Sequence, residues 1–296
     1  MMNRQRWRPA FAIVAAAAGT GFASGREIVW FFSQTGRAAW AGIPFACLIF
    51  ALLTGLTARA AVRHDALSFP DLCRRMLGRR TAQVACALYA LLLAVAFMVM
   101  LRRAGETAAI ALPLEHAFLW GLTFALLAAL LINGNGLRAL PLLGLPVVAL
   151  GMLFYAALAL DAGPVRVYVR GDASLALEDS VPAALLLALS YGAMNACLAA
   201  GTAARFGRLS DSPAALGTRC GALLCALLLC ANAAIARGGR ALLIQALPTV
   251  LLAARWGLTG FWICAGFGYL CAVATLTAAL GGLIDLMRAM ACRMGC

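Results

Sequence analysis

The chain contains no lysine and only two histidines, and charged residues make up 12% of its 296 residues. Soluble globular domains carry about 25% charged residues. A chain with 64% hydrophobic residues and a mean hydropathy of +0.93 is therefore not a soluble domain. The net charge of +13 comes entirely from arginine. The arginines cluster at the ends of apolar segments, so we expect no nucleic-acid partner, and the lysine-free, alanine-rich composition is typical of a GC-rich bacterial genome.

The chain also lacks the residue patterns of a metal site or a disulfide framework. Its eleven cysteines (Cys 11) include no Cys-x-x-Cys pair, and most stand singly in apolar runs. A buried cysteine of this kind behaves as a small apolar side chain. Neither histidine lies near a cysteine cluster, and there is no His-Glu-x-x-His motif. We expect neither a metal nor an organic cofactor.

One short stretch, Ala23-Ser24-Gly25, superficially resembles the Gly-x-Ser-Gly of rhomboid-type serine proteases. A nucleophilic serine needs a base to activate it. We expect His64 in a loop and His116 at the outer edge of a helix, so neither is expected beside Ser24. The sequence therefore does not predict an enzyme.

Long apolar runs dominate what is present. Crossing a bilayer takes about 20 apolar residues, and on that measure the chain is all-α, a polytopic membrane protein with about eight transmembrane helices. The predicted helices span 9–33, 38–60, 82–101, 116–133, 137–160, 181–203, 214–236 and 259–286. Segment 240–256 is shorter and is broken by Pro248, so we expect an interfacial or re-entrant helix there.

The arginine distribution predicts the orientation. With the N-terminus inside, the cytoplasmic side holds about twice as many arginines as the outside. We therefore expect a multi-pass protein of the bacterial inner membrane, with both termini cytoplasmic and the lipid bilayer as its surroundings; oligomerisation stays open. The longest polar connection, 161–180, divides the chain into 1–160, with helices 1–5, and 161–296, with helices 6–8 and the interfacial segment.

A polar, glycine-rich stretch, Gly-Thr-Gly-Phe-Ala-Ser-Gly-Arg-Glu over residues 19–27, interrupts the first apolar segment. Such backbone is tolerated at membrane depth only where protein or a water-filled cavity surrounds it. One interpretation is a helix-packing face, since Gly21 and Gly25 have Gly-x-x-x-Gly spacing. That leaves Glu27 unexplained, because a lone carboxylate at mid-bilayer costs about 2.5 kcal/mol or more. The alternative is a broken helix whose freed carbonyls and amides bind a cation or a carboxylate.

Two further helices carry polar residues in apolar surroundings. Helix 6 contains Ser190, Tyr191, Gly192 and Asn195, which indicate either a second interruption or hydrogen bonds to a neighbouring helix. Helix 8 contains Thr275 and Thr277, of which at most one faces a given ion. The candidate substrate- or ion-binding residues are Gly19, Thr20, Gly21, Phe22, Ala23, Ser24, Gly25, Glu27, Ser190, Tyr191, Gly192, Asn195, Thr275 and Thr277.

Residues 19–28, with Phe31, Phe32 and Gly36, resemble the opening helix of the YkvI-like bacterial membrane proteins, whose signature reads roughly Gly-x-Gly-Phe-Ala-Ser-Gly-Gln-Glu-Ile. That family looks like a branch of the amino acid–polyamine–organocation transporter superfamily. The resemblance implies a LeuT-like inverted-repeat fold with discontinuous helices 1 and 6, and a sodium ion near Gly19, Thr20 and Thr277. The chain departs from it in two ways: it ends two core helices early, and Leu276 replaces the first of two adjacent threonines.

Together these features predict a secondary active transporter for a small organic solute, such as an amino acid or an amine, coupled to H⁺ or Na⁺. Helices 1 and 6 are expected to line the site, with Glu27 as a proton carrier or charged gate. The alternative is a non-transporting sensor or assembly subunit on a degenerate transporter scaffold, which the expected C-terminal shortening favours.

Overall fold

A computed structural model describes residues 2–112, 114–134, 140–161, 180–210, 212–239, 242–245 and 247–294. Within these ranges the chain is helical and contains no strand. The α-helices are α1 (Met2–Ala17), α2 (Thr20–Ala23), α3 (Arg26–Phe31), α4 (Ala39–Arg63), α5 (Phe69–Leu77), α6 (Arg79–Ala111), α7 (Ala117–Gly134), α8 (Leu140–Asp161), α9 (Val181–Gly207), α10 (Pro213–Gly238), α11 (Pro248–Ala253) and α12 (Gly257–Met294). Apart from its two end residues, the predicted 161–180 connection lies outside the described residues.

The described residues contain 7 helical segments that are long and apolar enough to cross a membrane, so the chain is a multi-pass membrane protein. They are Ser33–Arg63, Arg79–Ala111, Ala117–Gly134, Leu140–Asp161, Val181–Gly207, Pro213–Gly238 and Pro248–Met290. The structure differs from the predicted eight at the first segment, 9–33. That segment is divided among α1, α2 and α3, of 16, 4 and 6 residues, and a single crossing takes about 20.

Local sequence sets where α9 and α10 begin. Ser180 and Ser212 are N-cap residues, and their hydroxyls accept hydrogen bonds from the amides of Ala183 and Ala215. A proline in the first turn follows each serine. Serine at the N-cap satisfies an otherwise unpaired amide, and proline is favoured in the first turn because its missing N–H is not needed there. Both starts are therefore encoded locally.

The first helix, α1, lies at the centre of the bundle. It contacts α8, α9, α10 and α12, and Ala12, Ile13 and Val14 are fully buried. A glycine allows the close approach of α8, since a Cβ on Gly144 would lie 2.5 Å from the carbonyl carbon of Phe11. The outer helices α6 and α7 instead expose large apolar side chains, such as Met98, which is the pattern of a lipid-facing surface. The segment that carries residues 19–27 is thus surrounded by protein.

The predicted interruption of the sixth helix is wrong. α9 runs without a break from Val181 to Gly207. The Ser190 hydroxyl donates to the carbonyl of Leu186 at 2.9 Å, and the Asn195 amide donates to the carbonyl of Tyr191 at 3.0 Å. Both partners lie four residues earlier in the same helix, so these polar groups are satisfied without opening the helix.

Candidate functional site

The first hydrophobic segment changes direction twice, at Gly19 and at Gly25. Gly19 is extended, with φ −74° and ψ −176°, and caps the single turn of α2. Its carbonyl accepts hydrogen bonds from the amides of Phe22 and Ala23. Gly25 has the left-handed values φ 78° and ψ −5° and precedes α3, a conformation that glycine adopts at little cost. Gly21 and Gly25 therefore do not form a continuous Gly-x-x-x-Gly face.

Gly25 is also the point where α11 meets this break. A Cβ on Gly25 would lie 2.4 Å from the Thr249 hydroxyl oxygen and 3.1 Å from Pro248 Cγ. The Thr249 amide donates a hydrogen bond of 3.1 Å to the carbonyl of Ser24. Pro248 and Thr249 are buried. This half of segment 240–256 thus packs against the interrupted helix.

Tyr155 on α8 holds the other side of α2. Its hydroxyl donates to the carbonyl of Phe22 at 2.5 Å and lies 3.3 Å from the carbonyl of Ala23 and from the Thr249 hydroxyl. The Phe22 ring meets the Tyr155 ring edge-on at 5.2 Å. The carbonyls of Phe22 and Ser24 are therefore already hydrogen-bonded to protein donors. They are not the open cation ligands that a bare helix break would offer.

Glu27 folds back over Gly21. A Cβ on Gly21 would lie 2.1 Å from Glu27 Oε1 and 2.6 Å from its Cγ, so only glycine leaves room for this carboxylate. Glu27 is partly buried and Arg26 is exposed. Within the described residues, no ion pair or hydrogen bond engages the Glu27 carboxylate, and neither of its oxygens is sealed from accessible space. The carboxylate is thus held beside the break without a protein partner in that part of the chain.

The two candidate threonines of α12, Thr275 and Thr277, face different places. The Thr275 hydroxyl donates to the carbonyl of Ala15 at 3.4 Å and lies 4.0 Å from the position that a Cβ on Gly19 would take. The Thr277 hydroxyl instead donates to the carbonyl of Val273 at 2.7 Å and borders another cavity. Only Thr275 reaches the break. The Thr20 hydroxyl, also at the break, contacts the sulfur of Met100 at 3.6 Å.

Among the candidate residues on α9, Tyr191 lies against the first segment. The Tyr191 ring is buried against Phe31 and Phe32, and its centroid lies 5.1 Å from the centroid of each of these two rings. Gly192 packs on α4, where a Cβ would lie 2.6 Å from the carbonyl oxygen of Ala46. Ser190 is exposed on the outside of the bundle. The structure therefore brings Tyr191 to the site, uses Gly192 for helix packing and leaves Ser190 outside.

A small cavity of about 130 Å³ borders the break at Thr20, Ala23 and Ser24. Its opposite wall includes Arg103 and Glu106 of α6. The Glu106 carboxylate pairs with Arg102 at 2.7 Å and with Arg103 at 2.9 Å. The Ser24 hydroxyl donates to the carbonyl of Gly21 and accepts from the amide of Arg26, so neither partner is a base that could activate it.

Sequence reasoning missed Tyr155, Thr249, Arg103 and Glu106 as parts of this region. Tyr155 and Thr249 stand alone in apolar runs, and no local pattern marks them. Glu106 did carry a signal, because an acidic residue three and four positions after two arginines favours ion pairs on one helix face. These ion pairs lie in the part of α6 beyond residue 101, where the sequence predicted that the helix would end; α6 extends to Ala111.

The described residues hold no cluster of three or more histidine, cysteine or acidic side chains that could bind a metal ion. The cysteines of the described residues whose side chains are placed are free thiols. No protein-family model matches the chain, and no curated protein matches it.

Proposed function

We propose that this chain is a secondary active transporter for a small organic solute, such as an amino acid or an amine. In this proposal it has a LeuT-like architecture related to that of the YkvI-like proteins, and it lies in a bacterial inner membrane with both termini cytoplasmic. The solute binds beside α2 and α3. The proposal draws on the position of the interrupted segment, which lies inside the bundle rather than on its lipid-facing surface.

The observation that carries the proposal is the placement of Glu27. Its carboxylate covers Gly21 at the break and has no ion-pair partner in the described part of the chain. An unpaired charge in a membrane protein interior is costly, by about 2.5–3.5 kcal/mol on insertion scales. A residue kept at such cost is explained if it binds a proton or a cationic group during the transport cycle. We assign Glu27 the role of proton carrier or charged gate.

The same geometry favours H⁺ over Na⁺ as the coupling ion. A sodium site needs several oxygen ligands close together. The carbonyls of Phe22 and Ser24 already accept hydrogen bonds from Tyr155 and Thr249. Of the candidate threonines on α12, Thr275 reaches the break and Thr277 bonds within its own helix. A proton on Glu27 requires no such ligand set.

Uptake by the purified protein in proteoliposomes tests the proposal. Solutes are first chosen by thermal-shift screening of amino acids and amines with and without sodium. We expect at least one stabilising solute to accumulate when an inward proton gradient is imposed, with no requirement for sodium. Accumulation that needs sodium and ignores the proton gradient would contradict H⁺ coupling. A stabilising solute with no measurable flux would contradict transport itself.

A non-transporting sensor or assembly subunit is the second candidate. One observation favours it: α9 is continuous, so it lacks the interruption that the first hydrophobic segment has. Paired interruptions in two halves are typical of transporter sites. Saturable solute binding without flux, in the same proteoliposomes, is the result that this alternative predicts.

A further inference from the structure

A second, larger cavity lies between α5, α7, α9 and α12, away from the interrupted segment. Its volume is about 540 Å³, and none of residues 19–27 lines it. Pockets for small molecules have volumes of about 300–1,000 Å³. The polar and charged side chains that line it include Thr202, Arg205, Asp285, Arg288, Asn133 and Asp71. We call this space the α9/α12 cavity.

An ion pair between α9 and α12 borders the α9/α12 cavity. Arg205 Nε donates to Asp285 Oδ2 at 2.7 Å, and Arg205 Nη2 contacts the same oxygen and the carbonyl of Gly281. The two side chains are 19% and 12% exposed, so most of the Asp285 side chain is shielded from solvent. The pair neutralises Asp285 and leaves Arg205 Nη1 without a partner among the described residues.

The free Nη1 group of Arg205 faces space that a glycine keeps open. A Cβ on Gly281 would lie 3.0 Å from Arg205 Nη1 and 2.6 Å from Asn133 Oδ1. The Asn133 amide nitrogen is already used, because it donates to the carbonyls of Ala129 and Thr277 at 2.9 and 3.0 Å. A guanidinium donor and an amide oxygen therefore border this part of the cavity.

Thr202 supplies an independent sign that the α9/α12 cavity is built to bind a ligand. Its side chain is 6% exposed and lines the cavity. Threonines inside helices commonly donate to the carbonyl four residues earlier, as Thr54 and Thr277 do. The Thr202 hydroxyl makes no such bond, and no other described residue pairs with it. The Thr202 side chain is thus largely buried, and its hydroxyl is left open to the cavity without a partner among the described residues.

The charges around the α9/α12 cavity favour an anion. Its two carboxylates are neutralised, Asp285 by Arg205 and Asp71 by Arg75 at 2.9 Å. Arg288 lines the cavity and forms no ion pair with the described residues. The donors without a described partner include the Thr202 hydroxyl, one edge of the Arg205 guanidinium and the whole Arg288 guanidinium. The paired N–H donors of an arginine guanidinium have the right spacing to bind two phosphate oxygens. Such charge-assisted hydrogen bonds are stronger than hydrogen bonds between neutral groups.

We propose that the α9/α12 cavity binds a phosphate group through the Thr202 hydroxyl, Arg205 Nη1 and Arg288. Three donors on two helices suit a tetrahedral anion with several oxygens better than a carboxylate with two. The remaining volume accommodates an organic substituent on the phosphate. The phosphate belongs either to a small soluble compound or to the headgroup of an anionic lipid, and both sources present the same chemistry.

Binding to the full-length protein in phosphatidylcholine nanodiscs tests this proposal. The first probe is inorganic phosphate, measured by calorimetry, and the second is phosphatidylglycerol, measured by native mass spectrometry after detergent extraction. We expect Thr202→Val and Arg288→Gln each to weaken binding about tenfold, as the loss of one charge-assisted hydrogen bond implies. Thr202→Ser should restore wild-type binding, because it keeps the hydroxyl.

Matched controls separate the site from general effects of charge. Thr218 and Arg59 are exposed on other helices, and the Thr218 hydroxyl already donates to the carbonyl of Ala214. Thr218→Val and Arg59→Gln should leave binding unchanged. Glu27→Gln should also leave it unchanged, so failure of the transport proposal does not decide this one.

The outcomes are distinct. Phosphate binding that is lost in both variants supports a soluble ligand, whereas retention of phosphatidylglycerol alone, lost in the same variants, supports a lipid headgroup. Binding of neither probe to the wild type overturns the proposal. Binding that both Thr202→Val and Arg288→Gln leave unchanged also overturns it. If Arg288→Gln does not fold, the comparison of Thr202→Val with Thr202→Ser decides the question.

Discussion

The hydroxyl of Tyr155 donates a hydrogen bond of 2.5 Å to the carbonyl of Phe22, 133 residues earlier in the chain. This bond joins α8 to the one-turn helix α2 and gives the Phe22 carbonyl a second donor beside the amide of Gly25. The Thr249 amide donates to the carbonyl of Ser24. The interruption is therefore supported from two sides, by α8 and by α11. It is a defined conformation that leaves the Glu27 carboxylate beside it without a partner in the described residues.

Removing the Tyr155 hydroxyl should destabilise the protein and impair transport. In Tyr155→Phe the Phe22 carbonyl keeps the hydrogen bond from the Gly25 amide and loses the one from Tyr155, and a typical intramolecular hydrogen bond contributes about 0.5–1.5 kcal/mol. Thermal unfolding in detergent measures the stability, and proteoliposome uptake measures the activity. Tyr269→Phe is the control, because the Tyr269 hydroxyl donates to the carbonyl of Gly121 outside this region. Equal uptake by Tyr155→Phe and Tyr269→Phe would show that transport does not depend on the Tyr155 hydroxyl.

Gly25→Ala should be more damaging than an alanine at a glycine inside a helix. The new Cβ would occupy a left-handed residue and approach Thr249 Oγ1 to 2.4 Å. Left-handed strain alone costs about 1–2 kcal/mol, and the overlap adds about 1–3 kcal/mol. Gly266→Ala is the control, since nothing lies within 4 Å of its Cβ position. A variant Gly25→Ala with wild-type stability would show that α11 does not pack here.

The sequence predicts the helices of this structure better than it predicts the contacts between them. The second to eighth predicted helices correspond to the segments that are long and apolar enough to cross a membrane, because apolar length alone identifies such helices. Glycines and hydroxyls inside the first apolar run also marked the residues at the break, but the sequence alone left a helix-packing face and a broken helix as alternatives. The LeuT-like arrangement and its inverted repeats stay predictions.

The errors and omissions have a common cause. Ser190 and Asn195 look like helix-breaking residues in a linear sequence, but each finds a carbonyl within its own helix. Tyr155 and Thr249 look unremarkable, yet they support the break from distant parts of the chain. Which polar group meets which partner is decided by tertiary packing. Local patterns therefore located the interruption but not the residues that hold it.

Gly21→Ala should impair transport while changing stability little. Its Cβ would overlap the Glu27 side chain, and that side chain is flexible enough to move away. The carboxylate would then leave the position that transport requires. Gly192→Ala provides the contrast, because its Cβ would meet the rigid backbone carbonyl of Ala46 at 2.6 Å. We expect Gly192→Ala to lower stability by about 1–3 kcal/mol with normal uptake per folded molecule. Normal uptake by Gly21→Ala, together with impaired uptake per folded molecule of Gly192→Ala, would contradict the role given to Gly21.

Cys73 on α5 should react slowly with thiol reagents in the folded protein. Burial, with a smaller contribution from Cys86, raises the pKa of the Cys73 thiol to about 11. A free thiol has a pKa of about 8.5, so at pH 8 the reactive thiolate is roughly two orders of magnitude scarcer than in the unfolded chain. Peptide-resolved mass spectrometry of maleimide labelling measures this. Equal labelling of folded and unfolded protein at pH 8 would contradict it.

The raised pKa of Cys73 also has a consequence for stability. The folded state holds this proton more tightly than the unfolded state does. The resulting stabilisation is complete below the unfolded pKa, about 8.5, and is lost as the pH rises through the folded value of about 11. Cys73→Ser should remove this part of the alkaline loss of stability, as unfolding midpoints between these pH values would show.

Uptake by Glu27→Gln under an imposed proton gradient is the most direct test of the role proposed for Glu27. The substitution keeps the size of the side chain and removes its ability to exchange a proton or hold a cation. Glu115→Gln is the matched control, because Glu115 is exposed between α6 and α7. If Glu27 is the proton carrier or charged gate, the proton gradient no longer drives accumulation in Glu27→Gln, while Glu115→Gln transports as the wild type does. Unchanged gradient-driven uptake by Glu27→Gln would contradict that role.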